Sequence, residues 1–113
     1  MKHNPEKYLK DAFDSCVLLL KFKETLLSFN DYAESNTLIK DGILRRLSII
    51  GEALFQANKL NKALEITDIK KIIGLRHIII HDYDKLDDNM VYQILLKNIE
   101  PLKIELENIL NEL

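Results

Sequence analysis

Three glycines and two prolines are all that punctuate 113 residues. Sheet-rich folds draw frequent turns from glycine, proline and short polar side chains, so this meagre supply steers the chain toward long helices. The apolar residues agree. From about Pro5 to Phe29 they fall at Tyr8, Leu9, Ala12, Phe13, Cys16, Val17, Leu19, Leu20, Leu26 and Leu27, the spacing of one helix face, with Pro5 suited to a first turn. The stretch from Asn30 to Asn36 is polar and predicts a turn. A second helix follows from Thr37 to about Ala57, with Ile39, Ile43, Leu44, Leu47, Ile50, Leu54 and Ala57 as its core stripe. Gly42, Arg46, Ile49, Ile50 and Ala53 share one sector of that helix, and an arginine flanked by small residues there predicts close approach to another helix.

Asn58 to Thr67 reads as a connector. Thr67 or Asp68 is the expected N-cap of a third helix, and Asp87 or Asp88 that of a fourth running to about Asn111. Pro101 lies inside the fourth pattern and predicts a kink or a break. The expectation is an all-α protein: an up-down antiparallel bundle of four to five helices, with residues 1–113 as a single domain.

With 47% hydrophobic and 30% charged residues, the composition is that of an ordinary soluble domain. Cys16 is the only cysteine, which excludes an intrachain disulfide, and its apolar neighbours Val17 to Leu20 predict a buried structural thiol. The stretch Met1 to Glu6 has no apolar segment of the kind a secretory leader carries, and no apolar run approaches the roughly 20 residues that span a bilayer. A cytoplasmic protein without a membrane segment is expected.

Net charge is −2, which argues against a general nucleic-acid binder, but its distribution is uneven. Residues 40–76 hold eight basic and four acidic side chains, against five and six before them and three and eight after them. The central basic segment ends at Arg76-His77-Ile78-Ile79-Ile80-His81-Asp82-Tyr83, where one arginine, two histidines and a tyrosine interrupt an isoleucine-rich helix.

These side chains suit RNA cleavage without a metal or cofactor. Histidine titrates near neutrality and can take a proton from a ribose 2′-hydroxyl or return one to the leaving 5′-oxygen. An arginine fork matches the charge that builds on phosphate oxygens. Attack by the 2′-hydroxyl would leave a 2′,3′-cyclic phosphate and a 5′-hydroxyl. Two plainer readings stand beside this: a core arginine with surface histidines, or a metal held by His77, His81 and Asp84, the two histidines being one helical turn apart. Tyr83 by itself reads as a half-buried packing residue. Arg76 and Tyr83, seven apart, point the same way on one helix. Arg76 and His81 lie about 140° apart on an ideal helix. A common phosphate then requires that the helix end or bend before His81, or that two copies face each other. Otherwise the two side chains serve different tasks.

Arg76, His81 and Tyr83 form an Arg-x4-His-x-Tyr pattern that resembles the signature of HepT-like toxins of the HEPN superfamily. The run Leu44-Arg45-Arg46-Leu47-Ser48-Ile49-Ile50-Gly51-Glu52-Ala53 is similar to that family's second helix, and Ile69 to Tyr83 to its third. The resemblance implies a HEPN-like helical homodimer whose interface forms a ribonuclease cleft. Arg76 and His81 would be catalytic, with His77, Arg46 and Glu52 as auxiliary residues. It also implies an MNT-type nucleotidyltransferase antitoxin as partner, neutralising the toxin by AMPylation of Tyr83, and RNA, tRNA in particular, as substrate. Many members carry Asn where this chain has His77, and a frequent tryptophan ahead of the motif is absent. The competing expectation is a non-catalytic subunit that helps a minimal nucleotidyltransferase bind its substrate.

Overall fold

Each long apolar stripe becomes a helix in the computed structural model, which describes residues 4–113. Met1 to His3, part of the stretch read for a leader, lie outside the described residues. The helices are α1 (Glu6–Thr25), α2 (Phe29–Ala33), α3 (Thr37–Leu60), α4 (Ile69–His81), α5 (Asp88–Lys97) and α6 (Ile99–Asn111), with a 3-10 turn at Tyr83–Lys85. No strand occurs among the described residues. The chain is all-α, and none of these helices is long and apolar enough to cross a membrane.

Among the described residues six helices stand where four to five were expected, for two local reasons. The segment read as a turn contains α2, because Ser28 accepts a hydrogen bond from the Asp31 amide at 3.2 Å while the Asp31 carboxylate accepts one from the Leu27 amide at 2.9 Å. This near-reciprocal cap satisfies amides that a short helix otherwise leaves unbonded. The predicted fourth helix is interrupted at Asn98 and becomes α5 and α6. Pro101 has no amide hydrogen to give the Lys97 carbonyl, and its ring crowds that position; a proline is tolerated only in the first turn of a new helix, where it sits.

The caps also differ from expectation at α4. Asp68 occupies the N-cap position in a left-handed conformation (φ 59°) and makes no capping bond. Thr67 bonds instead to Glu105 of α6, its hydroxyl 2.8 Å from the carboxylate. At α5 the expected cap forms: Asp87 accepts from the Asn89 amide at 2.7 Å.

The core lies where α1 meets α3 on one side and α5 and α6 on the other. Leu9, Leu19, Ile43, Leu54, Leu95 and Leu106 are fully buried, each such side chain contributing about 1.5–3 kcal/mol on leaving water. Cys16 lies among them, and burial pushes its thiol up to about 12, against a smaller opposing effect of Lys103. A thiol that stays protonated is a packing group, as the sequence reading held. Tyr32 stacks on Tyr92, whose hydroxyl donates to the Leu26 carbonyl at 3.2 Å and ties the end of α1 to α5.

α4 is placed differently from the rest. It packs on α3 and on the turn that follows it, so one broad face remains uncovered. The approach to α3 depends on Gly51. A Cβ built there would lie 2.5 Å from the Cβ of Arg76 and 3.1 Å from the Ile72 carbonyl oxygen. By contrast, a Cβ at Gly74, on α4, would meet nothing within 4 Å. The same substitution therefore has opposite effects at the two positions. Gly74→Ala should stabilise by up to about 1 kcal/mol through helix propensity. Gly51→Ala should gain that propensity yet lose more, because overpacking costs about 1–3 kcal/mol and here meets backbone. Urea midpoints of the two variants check this, and a stabilised Gly51→Ala would contradict the packing described.

Candidate active site

Arg76 enters the site from α4 at the point where Gly51 lets α3 approach. One residue beyond Gly51, Glu52 meets it: Oε2 of Glu52 lies against Nε of Arg76 as an ion pair. Both atoms are sealed from solvent and neither has a hydrogen-bond partner, so the contact is one of charge. The other carboxylate oxygen, Oε1, accepts from the Gln56 side chain at 2.9 Å. Glu52 is thus held from both ends, by its own helix and by α4. The side chains of Arg76 and Glu52 remain 25% and 44% exposed, so the pair contributes about 1 kcal/mol or less to stability. Its larger effect is directional. Nε is engaged, while the two terminal nitrogens make no hydrogen bond to the protein among the described residues and are not among its sealed, unbonded atoms. They are left as an outward fork, the part of a guanidinium that fits phosphate oxygens.

One turn along α3 the guanidinium carbon of Arg76 stands 5.7 Å from the centroid of the Phe55 ring. Lys59 reaches the same ring at 5.3 Å. The sequence reading missed Phe55. Its signal is an aromatic residue lying off the apolar stripe of its own helix, which a bundle core does not explain.

His77 and His81 are both exposed, and their rings lie 4.7 Å apart, as residues one turn apart should. α4 runs unbroken through His81 and stops at Asp82, whose amide bonds to the Ile78 carbonyl at 2.9 Å. The helix therefore neither ends nor bends before His81, and Arg76 and His81 keep their offset of about 140°. Tyr83 departs from the straight-helix reading. It belongs to the 3-10 turn beyond the end of α4 and is 61% exposed. Arg46 lies about 140° around α3 from Gly51 and is not brought to the cluster. Its sector is the one where Gly42 meets Phe22 of α1, with 3.0 Å between a built Cβ and the ring, so the close approach expected in that sector is to α1.

No group of three His, Cys, Asp or Glu side chains placed to hold a metal occurs among the described residues. A surface concavity bordered by Asn4, Glu6, Lys7, Tyr8 and Lys10 includes none of the motif side chains. The uncovered face of α4 carries His77, His81 and Ile80, the last 51% exposed.

A protein-family model described as Ribonuclease HepT-like matches residues 14–109. The chain is similar to the candidate RNase MJ1380 of Methanocaldococcus jannaschii, at 27% identity over 94% of this chain and 96% of that protein. It is also similar to the candidate RNase TTE0752 of Caldanaerobacter subterraneus subsp. tengcongensis, at 28% identity over 96% of each chain. A second Methanocaldococcus jannaschii protein, the candidate RNase MJ0125, is 29% identical over 84% of this chain and 87% of its own length. No solved structure matches the chain.

Proposed function

The chain belongs to the HepT-like ribonuclease family, and from that premise we propose that it is the toxin of a toxin–antitoxin pair, cutting RNA with Arg76 and His81. The observation that carries this reading is the Arg76 fork, held at Nε by Glu52 and open at its terminal nitrogens, on the same helix as two exposed histidines.

In this mechanism the fork binds the non-bridging oxygens of the scissile phosphate and stabilises the charge that grows on them. An exposed imidazole takes the proton of the adjacent 2′-hydroxyl, whose oxygen bonds to phosphorus as the bond to the 5′-oxygen breaks. A second imidazole returns a proton to that 5′-oxygen. The products are a 2′,3′-cyclic phosphate and a 5′-hydroxyl. His81 fills one proton-transfer role. His77, within ring contact of it, can fill the other or keep His81 oriented.

The working form is a homodimer. Arg76 and His81 diverge on one continuous helix, and α4 leaves a face of histidines and isoleucine uncovered by its own chain. A two-fold axis across that face would set one copy's histidines beside the other's arginine. Such an interface supplies the cleft that the motif lacks within one chain.

Tyr83 serves regulation. Its exposed hydroxyl is open to a nucleotidyltransferase partner using ATP. The tyrosyl oxygen bonds to the α-phosphorus, pyrophosphate leaves, and the phenol proton goes to solvent or a base of the transferase. The resulting adenylate adds bulk and negative charge near the site and excludes an RNA phosphate.

In cells, Arg76→Ala and His81→Ala should each abolish growth arrest and lower RNA cleavage by about 10²–10⁴-fold, with folded secondary structure retained. Undiminished toxicity in both variants would remove the catalytic assignment and favour a non-catalytic subunit of the transferase. Co-expression with an MNT-type nucleotidyltransferase partner should raise the intact mass in steps of roughly 329 Da, the size of an added AMP, and Tyr83→Phe should abolish the first step. An unchanged mass for the wild-type chain would count against regulation at Tyr83.

A further inference from the structure

We propose that Phe55 is the platform on which a nucleobase of the RNA substrate stacks, making it a specificity-determining residue of the site. The proposal rests on the ribonuclease reading above and adds to it a base-binding position that the Arg-x4-His-x-Tyr pattern does not contain. Three observations carry it. Phe55 is 37% exposed and belongs neither to the core nor to the partly buried side chains packed against it. It projects from the same stretch of α3 as Glu52, the residue that fixes Arg76. Two cations attend its ring, Arg76 at 5.7 Å and Lys59 at 5.3 Å. Lys59 makes no ion pair among the described residues.

A phenylalanine set outside a bundle core gains little from its position and exposes apolar surface. Its neighbours identify its ligand. An apolar partner surface would call for further apolar side chains around the ring, whereas here the ring has a cation from each of two helices. An aromatic face with adjoining positive charges is what a single-stranded nucleic acid recognises, because each nucleotide offers a flat π-surface and a phosphate. Arg76 links the two halves of the site. Its terminal nitrogens would meet the reacting phosphate, while its guanidinium carbon stands 5.7 Å from the centroid of the ring that would hold a flanking base. Lys59, one helical turn further along α3, meets the next phosphate along the strand. Stacking on a benzene ring discriminates weakly among bases but strongly against duplex, whose bases are already stacked. The site therefore selects unpaired nucleotides.

Two probes of equal charge test this in the His81→Ala protein, chosen to slow cleavage during the measurement: a fluorescent oligouridylate and an abasic ribose-phosphate oligomer of the same length. Phe55→Ala should weaken oligouridylate binding by about 5- to 150-fold and leave abasic binding unchanged, while Phe55→Trp retains full affinity. Lys59→Gln should weaken both probes alike and reduce the salt slope by about one unit. The proposal is overturned if Phe55→Ala binds oligouridylate like its parent, or if it loses both probes equally. It is also overturned if sedimentation shows that the variant changes its oligomeric state, which would make Phe55 an interface residue. A protein that binds neither probe and, with His81 intact, cleaves no RNA would instead defeat the ribonuclease reading itself. That outcome is distinct from an active enzyme indifferent to Phe55.

Discussion

The arrangement depends on how closely α3 and α4 can approach at Gly51. Without a side chain there, the Cβ of Arg76 occupies the space that an alanine methyl would take. That contact fixes more than distance. It sets Arg76 opposite Glu52, the next residue of α3, and within reach of Phe55 one turn on. Glu52 then engages Nε and leaves the rest of the guanidinium facing outward. The stabilisation from the ion pair is small because both side chains stay partly in water; its consequence is the aim of the fork. A packing constraint in the core thus becomes orientation at the surface.

The bundle divides its labour unevenly. α1, α3, α5 and α6 hold most of the buried leucines and isoleucines, while α4 contributes Ile72 and Leu75. α4 rests on α3 and places chemistry on its outer side, a rigid element that carries reactive groups on a scaffold stabilised elsewhere. This explains why α4 is rich in isoleucine and yet ends with Ile80 exposed. Its continuity through His81 also governs the mechanism. A straight helix keeps Arg76 and His81 pointing apart, so the proposed cleavage at a common phosphate calls for two copies facing each other. Dimerisation on the proposed face would satisfy the isoleucine and complete the site together.

Much of the fold was legible because a 3.6-residue period is a direct readout of a buried helix face. The stripes of α1, α3 and α4 and the interruption at Pro101 follow from side-chain spacing and the missing proline amide. What the period could not reveal depended on reciprocal or long-range bonds. α2 rests on the Ser28–Asp31 cap, a pattern present in the sequence but shorter than any periodic signal. Of the two expected caps of α4, Asp68 takes the position without a capping bond and Thr67 bonds Glu105, thirty-eight residues away, a choice no local rule anticipates. In the site, the motif residues were found by spacing, and Glu52 by its segment's similarity to known toxins. The sector containing Arg46 was read for close approach, but that approach is to α1, while Gly51 serves the contact with α4. Straight-helix geometry does not extend to Tyr83, because α4 stops at His81, two residues before it. Phe55 escaped because a residue off the apolar stripe looks ordinary until its neighbours are known.

The central claim is chemical: that Arg76 and the histidines cleave RNA through its own 2′-hydroxyl. Its most direct measurement is the chemistry of the cut ends, read by mass spectrometry on a short RNA incubated with the purified protein and excess chelator. The account predicts continued cleavage, fragments ending in a 2′,3′-cyclic phosphate opposite a 5′-hydroxyl, and resistance of a strand with a 2′-deoxy sugar at the cut. Fragments with a 3′-hydroxyl and a 5′-phosphate, or activity abolished by the chelator, would contradict it.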